Sequence, residues 1–335
     1  MNIGTSKRRV FVLGATGTIG RATVRALVQR GHDVVCFVRP RPTDGAGGKN
    51  SGNYPDFFKG IELRHGDATD AASLSRDGFR GETFDAVVSC LASRTGAPKD
   101  AWSIDHAAHV SALSAAKTAG ISHFILLSAI CVQKPVLAFQ KAKLAFEAEL
   151  MASGVPYSII RPTAFFKSLS GQVERVRNGK SFLVFGDGTL TACKPISDRD
   201  LGDFIADCLH DESRLNRILP IGGPGDAITP KQQGERLFDL LGREPRFRRV
   251  PLGMLDLIIG VLAIAGKVSS AAADKAELAR IGRYYATESM LVWDEATGRY
   301  DADATPSTGS DTLFDFYAAL VDGEATVDRG DHAVF

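Results

Sequence analysis

The sequence predicts an α/β fold, a doubly wound parallel sheet with a smaller helix-rich C-terminal lobe. Three observations carry this expectation. Short apolar runs alternate with helical stretches from Val10 to Ile221, the pattern of βαβ units. The runs are continuously apolar, as in strands covered on both faces. A glycine turn separates the first run from the first helix, as in nucleotide-binding units.

The first unit is Val10–Leu13, the turn Gly14-Ala-Thr-Gly17-Thr-Ile-Gly20 and a helix over Arg21–Arg30. Its apolar face is expected to be Ile19, Ala22, Ala26 and Leu27, with Gly31 as the stop. Strands follow at Val34–Val38, Ile61–Arg64, Ala86–Leu91, His123–Ser128 and Tyr157–Arg161. Helices are expected over Ala101–Ala119 and Leu137–Ser153. Asp198–His210 reads as a further helix with Ser197 as its N-cap. Ile218–Ile221 reads as a late strand, and Thr229-Pro230 opens a helix to about Leu241. The apolar patch Leu252–Ala265 is expected to be core, with a lid touching substrate or a membrane surface as the alternative. Arg41–Asp56 and the tail from Gly323 read as loops. The expected division is a cofactor domain over 8–222, with 163–195 contributing to a substrate lobe at 223–322, and loose termini at 1–7 and 323–335.

Composition limits the function classes. Among 335 residues, 40 are Lys or Arg and 39 Asp or Glu, a net charge of +1. That balance carries no nucleic-acid footprint. Five cysteines (Cys36, Cys90, Cys131, Cys193, Cys208) lie far apart without a C-x-x-C pair, which argues against a zinc or iron–sulfur site. They suit a reduced, cytoplasmic setting. Met1–Arg9 has no apolar core of signal-peptide length. The longest apolar run, Leu257–Gly266, has ten residues, about half of a membrane span.

The glycine turn carries the first chemical expectation. Gly14 permits the tight turn, Gly17 lets backbone approach a pyrophosphate, and Gly20 lets the helix pack on the strand. Backbone N–H groups of Thr16, Gly17, Thr18, Ile19 and Gly20 are then candidates to hold phosphates. Arg39, 19 residues after Gly20, stands where an NAD site has an acid. A guanidinium fits a 2′-phosphate as a fork, so NADPH is the expected cofactor, with Arg21 assisting. Asp67 is a candidate for the adenine edge. Leu91 and Ala92 are expected to line ribose and nicotinamide.

Short-chain reductases use a Ser on the fifth strand and Tyr-x-x-x-Lys on the next helix. Here the strand ends at Ser128 and the helix carries Phe139-Gln-Lys-Ala-Lys143. Lys143 is kept; Phe139 replaces the phenol, and a phenyl ring cannot protonate an alkoxide. His106-x-x-His109 has metal-like helical spacing without an evident third ligand, so it is expected to be structural, and no metal is expected.

Four stretches are specific: Leu127-Ser-Ala-Ile-Cys-Val-Gln-Lys-Pro135, Phe139–Leu150, Ile160-Arg-Pro-Thr-Ala-Phe-Phe-Lys-Ser168 and Tyr284-Tyr-Ala-Thr-Glu-Ser-Met290. They resemble the NADPH-dependent divinyl chlorophyllide a 8-vinyl reductases, atypical NmrA-like short-chain reductases with a Rossmann sheet. The resemblance runs from about Arg8 to Val321 and includes Phe-x-x-x-Lys. It implies reduction of a conjugated vinyl group to ethyl on a divinyl tetrapyrrole, in chlorophyll or bacteriochlorophyll synthesis. It also implies Lys143 and Ser128 as catalytic candidates, with Phe139, Phe165, Phe166 and Tyr284 as walls of an apolar substrate site. Tyr285 and Glu288 join Tyr284 as candidate proton sources. The expected partner is the pigment, with no obligate protein partner and with peripheral contact at photosynthetic membranes left open. Three other readings share the glycine turn: a non-catalytic NADP(H) sensor, an accessory subunit that holds its cofactor permanently, and a reductase of another conjugated alkene. The flavin- and ferredoxin-dependent class would need iron–sulfur cysteines, which this sequence lacks.

Overall fold

The computed structural model describes residues 6–40 and 56–326. The strands in chain order are β1 (Arg9–Leu13), β2 (Asp33–Val38), β3 (Glu62–His65), β4 (Ala86–Ser89), β5 (His123–Leu127), β6 (Tyr157–Pro162), β7 (Phe182–Phe185) and β8 (Arg217–Ile221). Seven of them form one sheet in the order β3-β2-β1-β4-β5-β6-β8, with every pair parallel. The expected loop over Arg41–Asp56 lies outside the described residues except for Asp56, and the expected tail lies outside them from 327 onward.

Strand alternation sends neighbouring side chains to opposite faces. Val10, Val12, Cys36 and Val38 join Leu27, Leu201 and Ile205 in one core. Phe11, Leu13, Val35 and Phe37 join Phe79, Phe124 and Phe146 in the other. Both faces are thus covered, which explains the continuously apolar strands.

The first helix spans Thr18–Gln29, starting three residues earlier than the sequence suggests. Its buried face is Ile19, Thr23, Val24, Ala26 and Leu27, and Ala22 is only half-buried. The backbone of Ala22 instead meets the helix Asp198–Asp207, where a Cβ on Gly202 would lie 2.7 Å from the Ala22 carbonyl carbon. Ser197 caps that second helix as expected, accepting the Asp200 N–H at 3.0 Å.

The stretch expected as one regular helix over Ala101–Ala119 begins at Pro98. It widens into π-helical turns over Trp102–Ala108 and continues as α-helix over His109–Thr118. Widened turns re-aim side chains and recur at functional sites. Here they accompany a buried acid, Asp105.

The C-terminal lobe has its own core, in which Phe166, Val176, Phe182 and Val184 meet Leu237, Phe238, Leu313 and Tyr317. The helix Pro230–Leu240 has the expected Thr229 cap, reinforced by Gln232. The sequence reading missed two small sheets: β7 pairs with β9 (Phe247–Val250) in parallel, and β10 (Val292–Asp294) pairs with β11 (Arg299–Asp301) antiparallel. Leu252–Ala265 is a helix, but none of its residues is buried. The expectation that this patch is core is corrected: the helix packs on Ser270–Thr287, and its other faces meet no comparable neighbour among the described residues.

The Gly202 crossing predicts that Gly202→Ala destabilises the fold by about 1–3 kcal/mol, as overpacking does, measured by denaturant unfolding. Two buried histidines predict a pH dependence. Burial holds both His109 and His123 down to about 4, from an ordinary value of 6.5, with the Lys143 charge adding to the effect on His109. Between those values the unfolded chain binds more protons, so stability rises with pH and is lost as pH falls from 6.5 towards 4. Each ring contributes a slope of at most about 1.4 kcal/mol per pH unit. His123→Phe should flatten the unfolding free energy across this window.

Candidate active site

The strand order reverses between β1 and β4, which opens a crevice at their C-terminal ends. Gly14 turns there with φ +73°, and a Cβ on it would lie 2.5 Å from the Cys90 carbonyl carbon. A Cβ on Gly20 would lie 2.0 Å from the Gly14 oxygen. Only glycine lets the turn, the helix and β4 meet this closely.

Gly17 occupies the N-cap position of the first helix with extended backbone, no side-chain cap and no acid in the first turn. The helix end therefore presents backbone donors and positive dipole character to an anion. Thr16 and Gly17 are exposed, Thr18 is half-buried, and Ile19 and Gly20 are buried. Lys167 donates to the Thr18 hydroxyl at 3.1 Å, adding a cation that sequence reasoning did not assign. The Asp198 carboxyl is pushed up by burial, opposed by the charges of Lys167 and Arg21. Arg21 thus lies on the same side of the turn. This uncapped donor set with its cations fits a dinucleotide phosphate.

Arg39 is exposed just beyond β2. Asp67 accepts the Thr69 backbone N–H at 2.8 Å and the Thr69 hydroxyl at 2.7 Å. These bonds hold its carboxyl below the ordinary range, and the Arg39 charge lowers it further. Beyond β4, Leu91 is half-buried and Ala92 exposed. The Cys90 thiol, pushed up to about 12 by burial, stays protonated.

The second half of the site stands on the helix Ala138–Ala152. Its N-cap position is Leu137, a residue with no side-chain oxygen to offer. Gln140 replaces the cap by accepting the backbone N–H groups of Val136 and Leu137, each at 2.9 Å. Glu277 of the lobe accepts the Ala138 N–H at 3.1 Å.

Lys143, one turn on from Phe139, is buried, and its ammonium lies 3.0 Å from Asp105 Oδ1. Asp105 Oδ2 is buried without a hydrogen-bond partner. His109 lies between the Ile104 carbonyl at 2.9 Å and Ser89 Oγ at 2.8 Å. The carbonyl requires an Nδ1–H donor, so Nε2 accepts from Ser89. His106 instead meets Glu149 at 2.7 Å. The two histidines thus serve separate structural contacts. Among the described residues no group of three or more His, Cys, Asp or Glu is arranged to hold a metal.

Ser128 donates its hydroxyl proton to Glu147, which is fully buried and also binds the Arg161 guanidinium. Ser128 therefore braces β5 against the helix, and its one proton is engaged there. Phe139 is half-buried, and Gly96 packs against both its ring and Ile281. Phe165 is half-buried against the core on the first-helix face. Phe166 is buried in the C-terminal core with its ring 5.6 Å from Phe316.

Tyr284 is likewise buried, and its hydroxyl donates to the Cys131 carbonyl at 2.9 Å. Burial pushes this phenol up, so it is not poised as an acid. The Tyr285 hydroxyl faces Cys131 Sγ at 3.8 Å. Glu288 is held by Lys134 and by Tyr300 at 2.6 Å. The sequence reading missed Asp105, Glu147, Arg161 and Lys167. The only local signal was spacing: Glu147 falls one turn after Lys143, and His109 one turn after Asp105.

Comparison with known proteins agrees with this architecture. A family model described as NAD(P)H-binding matches residues 14–212. The divinyl chlorophyllide a 8-vinyl-reductase, chloroplastic, of Cucumis sativus is 52% identical, covering 97% of this chain and 79% of its own. The enzyme of that name from Oryza sativa subsp. indica is 50% identical, covering 100% and 84%. The binary complex of leucoanthocyanidin reductase with NADPH from Vitis vinifera superposes with a TM-score of 0.66 at 17% identity, covering 94% and 99%, and so shares the fold. With half of its residues identical to these relatives across both lobes, the chain belongs to the divinyl chlorophyllide a 8-vinyl-reductase family of NAD(P)H-binding proteins.

Proposed function

We propose that this protein reduces the 8-vinyl group of divinyl chlorophyllide a, or a closely related divinyl tetrapyrrole, to ethyl, with NADPH as reductant. The observation that carries the reading is identity near one half over 97% of the chain with a relative of that name. This extends well beyond the cofactor-binding part.

The cofactor assignment rests on the uncapped helix end, on Lys167 beside Thr18 and on Arg39 beyond β2. Thr16, Gly17, Thr18, Ile19 and Gly20 would hold the pyrophosphate. Arg39, assisted by Arg21, would hold the 2′-phosphate, and Asp67, Leu91 and Ala92 would border the adenosine and nicotinamide halves. When bound, a reduced nicotinamide supplies a hydride to the vinyl carbon.

On the substrate, the vinyl π bond is replaced by two C–H bonds, one completed by a proton. The intervening negative charge is delocalised over the macrocycle, so no alkoxide forms. That chemistry makes Phe139 intelligible where carbonyl reductases need a phenol. Lys143 gives one N–H to Asp105. The remaining two are assigned to the cofactor ribose and to the developing negative charge, a preorganised electrostatic role. Ser128, Glu147 and Arg161 keep that helix in register. Phe139 and Phe165 remain candidate apolar walls. The pigment is the expected partner, and the working location is an aqueous compartment beside photosynthetic membranes.

Purified protein with NADPH and divinyl chlorophyllide a, under anaerobic conditions and without ferredoxin or flavin, should yield monovinyl product by chromatography. NADPH binding without product would remove the vinyl-reductase assignment. Lys143→Ala should lower turnover by about 100-fold, and near-normal turnover would remove its role. Arg39→Ala should raise the apparent NADPH constant about tenfold or more, the worth of a charge-assisted hydrogen bond, and leave the NADH constant almost unchanged. Equal effects on both cofactors would exclude the 2′-phosphate contact.

A further inference from the structure

The helix Leu252–Ala265 has no buried residue, yet its composition is that of a core. Met254, Leu257, Ile258, Val261 and Ile264 are exposed large apolar residues, and Val268 just beyond them is 92% exposed. Their spacing of three and four residues makes one continuous stripe. A soluble surface rarely leaves such a stripe uncovered.

The charges around it select its occupant. Between Arg246 and Ser269 the sequence has four basic residues, Arg246, Arg248, Arg249 and Lys267, against one acid, Asp256. All four basic residues are exposed. Asp256 is paired with Arg283 of the supporting helix. The helix itself is therefore electrically quiet while both of its ends are basic. At 14 residues it is about 21 Å long, too short to cross a bilayer, and no described helix is long and apolar enough to do so. An apolar helix face with basic flanks matches a helix lying in the headgroup region of an anionic membrane. A second copy of this chain would bring the same four basic residues against themselves.

The supporting helix Ser270–Thr287 reaches the candidate active site. Ile281 and Tyr284 pack with Ile130, Cys131 and Leu137, and Glu277 caps the helix that carries Lys143.

We propose that the Leu252–Ala265 helix docks the protein on an anionic lipid bilayer. Docking brings the Lys143 side of the molecule to the membrane surface, from which an apolar pigment enters. The pigment part rests on the reductase reading; the docking does not.

Flotation of the full chain with vesicles tests the docking directly. The protein should float with phosphatidylcholine–phosphatidylglycerol vesicles and much less with phosphatidylcholine alone. Leu257→Glu combined with Val261→Glu should lower vesicle partition by about 100-fold or more, since two apolar side chains leave the interface. Both positions are exposed, so thermal stability and NADPH binding should be unchanged. Arg248→Glu with Arg249→Glu should remove the preference for the anionic vesicles. No flotation, or equal flotation of the Leu257/Val261 variant, overturns the proposal. Equal flotation with both vesicle types overturns the anionic-lipid assignment. A dimer broken by Leu257→Glu, without vesicle binding, makes the stripe a self-interface and also overturns it. Flotation needs neither pigment nor NADPH, and turnover can be measured on detergent-dispersed pigment, so each reading can fail without the other.

Discussion

Two buried charge contacts set the position of the helix Ala138–Ala152, and the candidate chemistry depends on both. Lys143 is tied to Asp105 on the widened turns before His109. Glu147, one turn further on, is tied to Ser128 at the end of β5 and to Arg161 on β6. Buried ion pairs gain little net stability, because removing two charges from water offsets their attraction. Breaking one partner is far more damaging, at about 3–5 kcal/mol. Such pairs are therefore better at fixing register than at holding a fold together. Here they hold the Lys143 ammonium in the interior beside Asp105.

The crevice itself follows from backbone geometry. β1 and β4 run parallel and adjacent, and their onward connections leave to opposite sides. The turn between β1 and the first helix comes so close to the chain leaving β4 that Gly14 has no room for a side chain, and the Gly14 carbonyl in turn leaves none at Gly20. The helix that follows begins uncapped at Gly17, and an uncapped helix end suits a phosphate.

The C-terminal lobe contributes support to the site. Glu277 and Gln140 substitute for the missing cap at Leu137, and Tyr284 secures the Cys131 carbonyl that Gln140 also binds. Residues that resemble chemical participants, Tyr284 and Ser128, are engaged as braces. The substitution of Phe139 for the superfamily phenol is consistent with this division: the hydroxyl protons of Tyr284 and Ser128 are committed to structure.

By itself, the sequence determined the central sheet, the nucleotide turn and the Lys143 position. These are local or periodic features: apolar runs covered on both faces, glycines that alone fit a tight turn, and a lysine one helical turn from residue 139. Only the tertiary structure decided what depends on distant partners. Asp105 lies 38 residues before Lys143, so no local spacing could pair them. Phe165 and Phe166 are adjacent, yet one packs under the sheet and the other enters the C-terminal core. The run at Leu252–Ala265 reads as core because apolar composition favours burial. Burial also requires a neighbour on every side, and among the described residues this helix packs mainly on Ser270–Thr287.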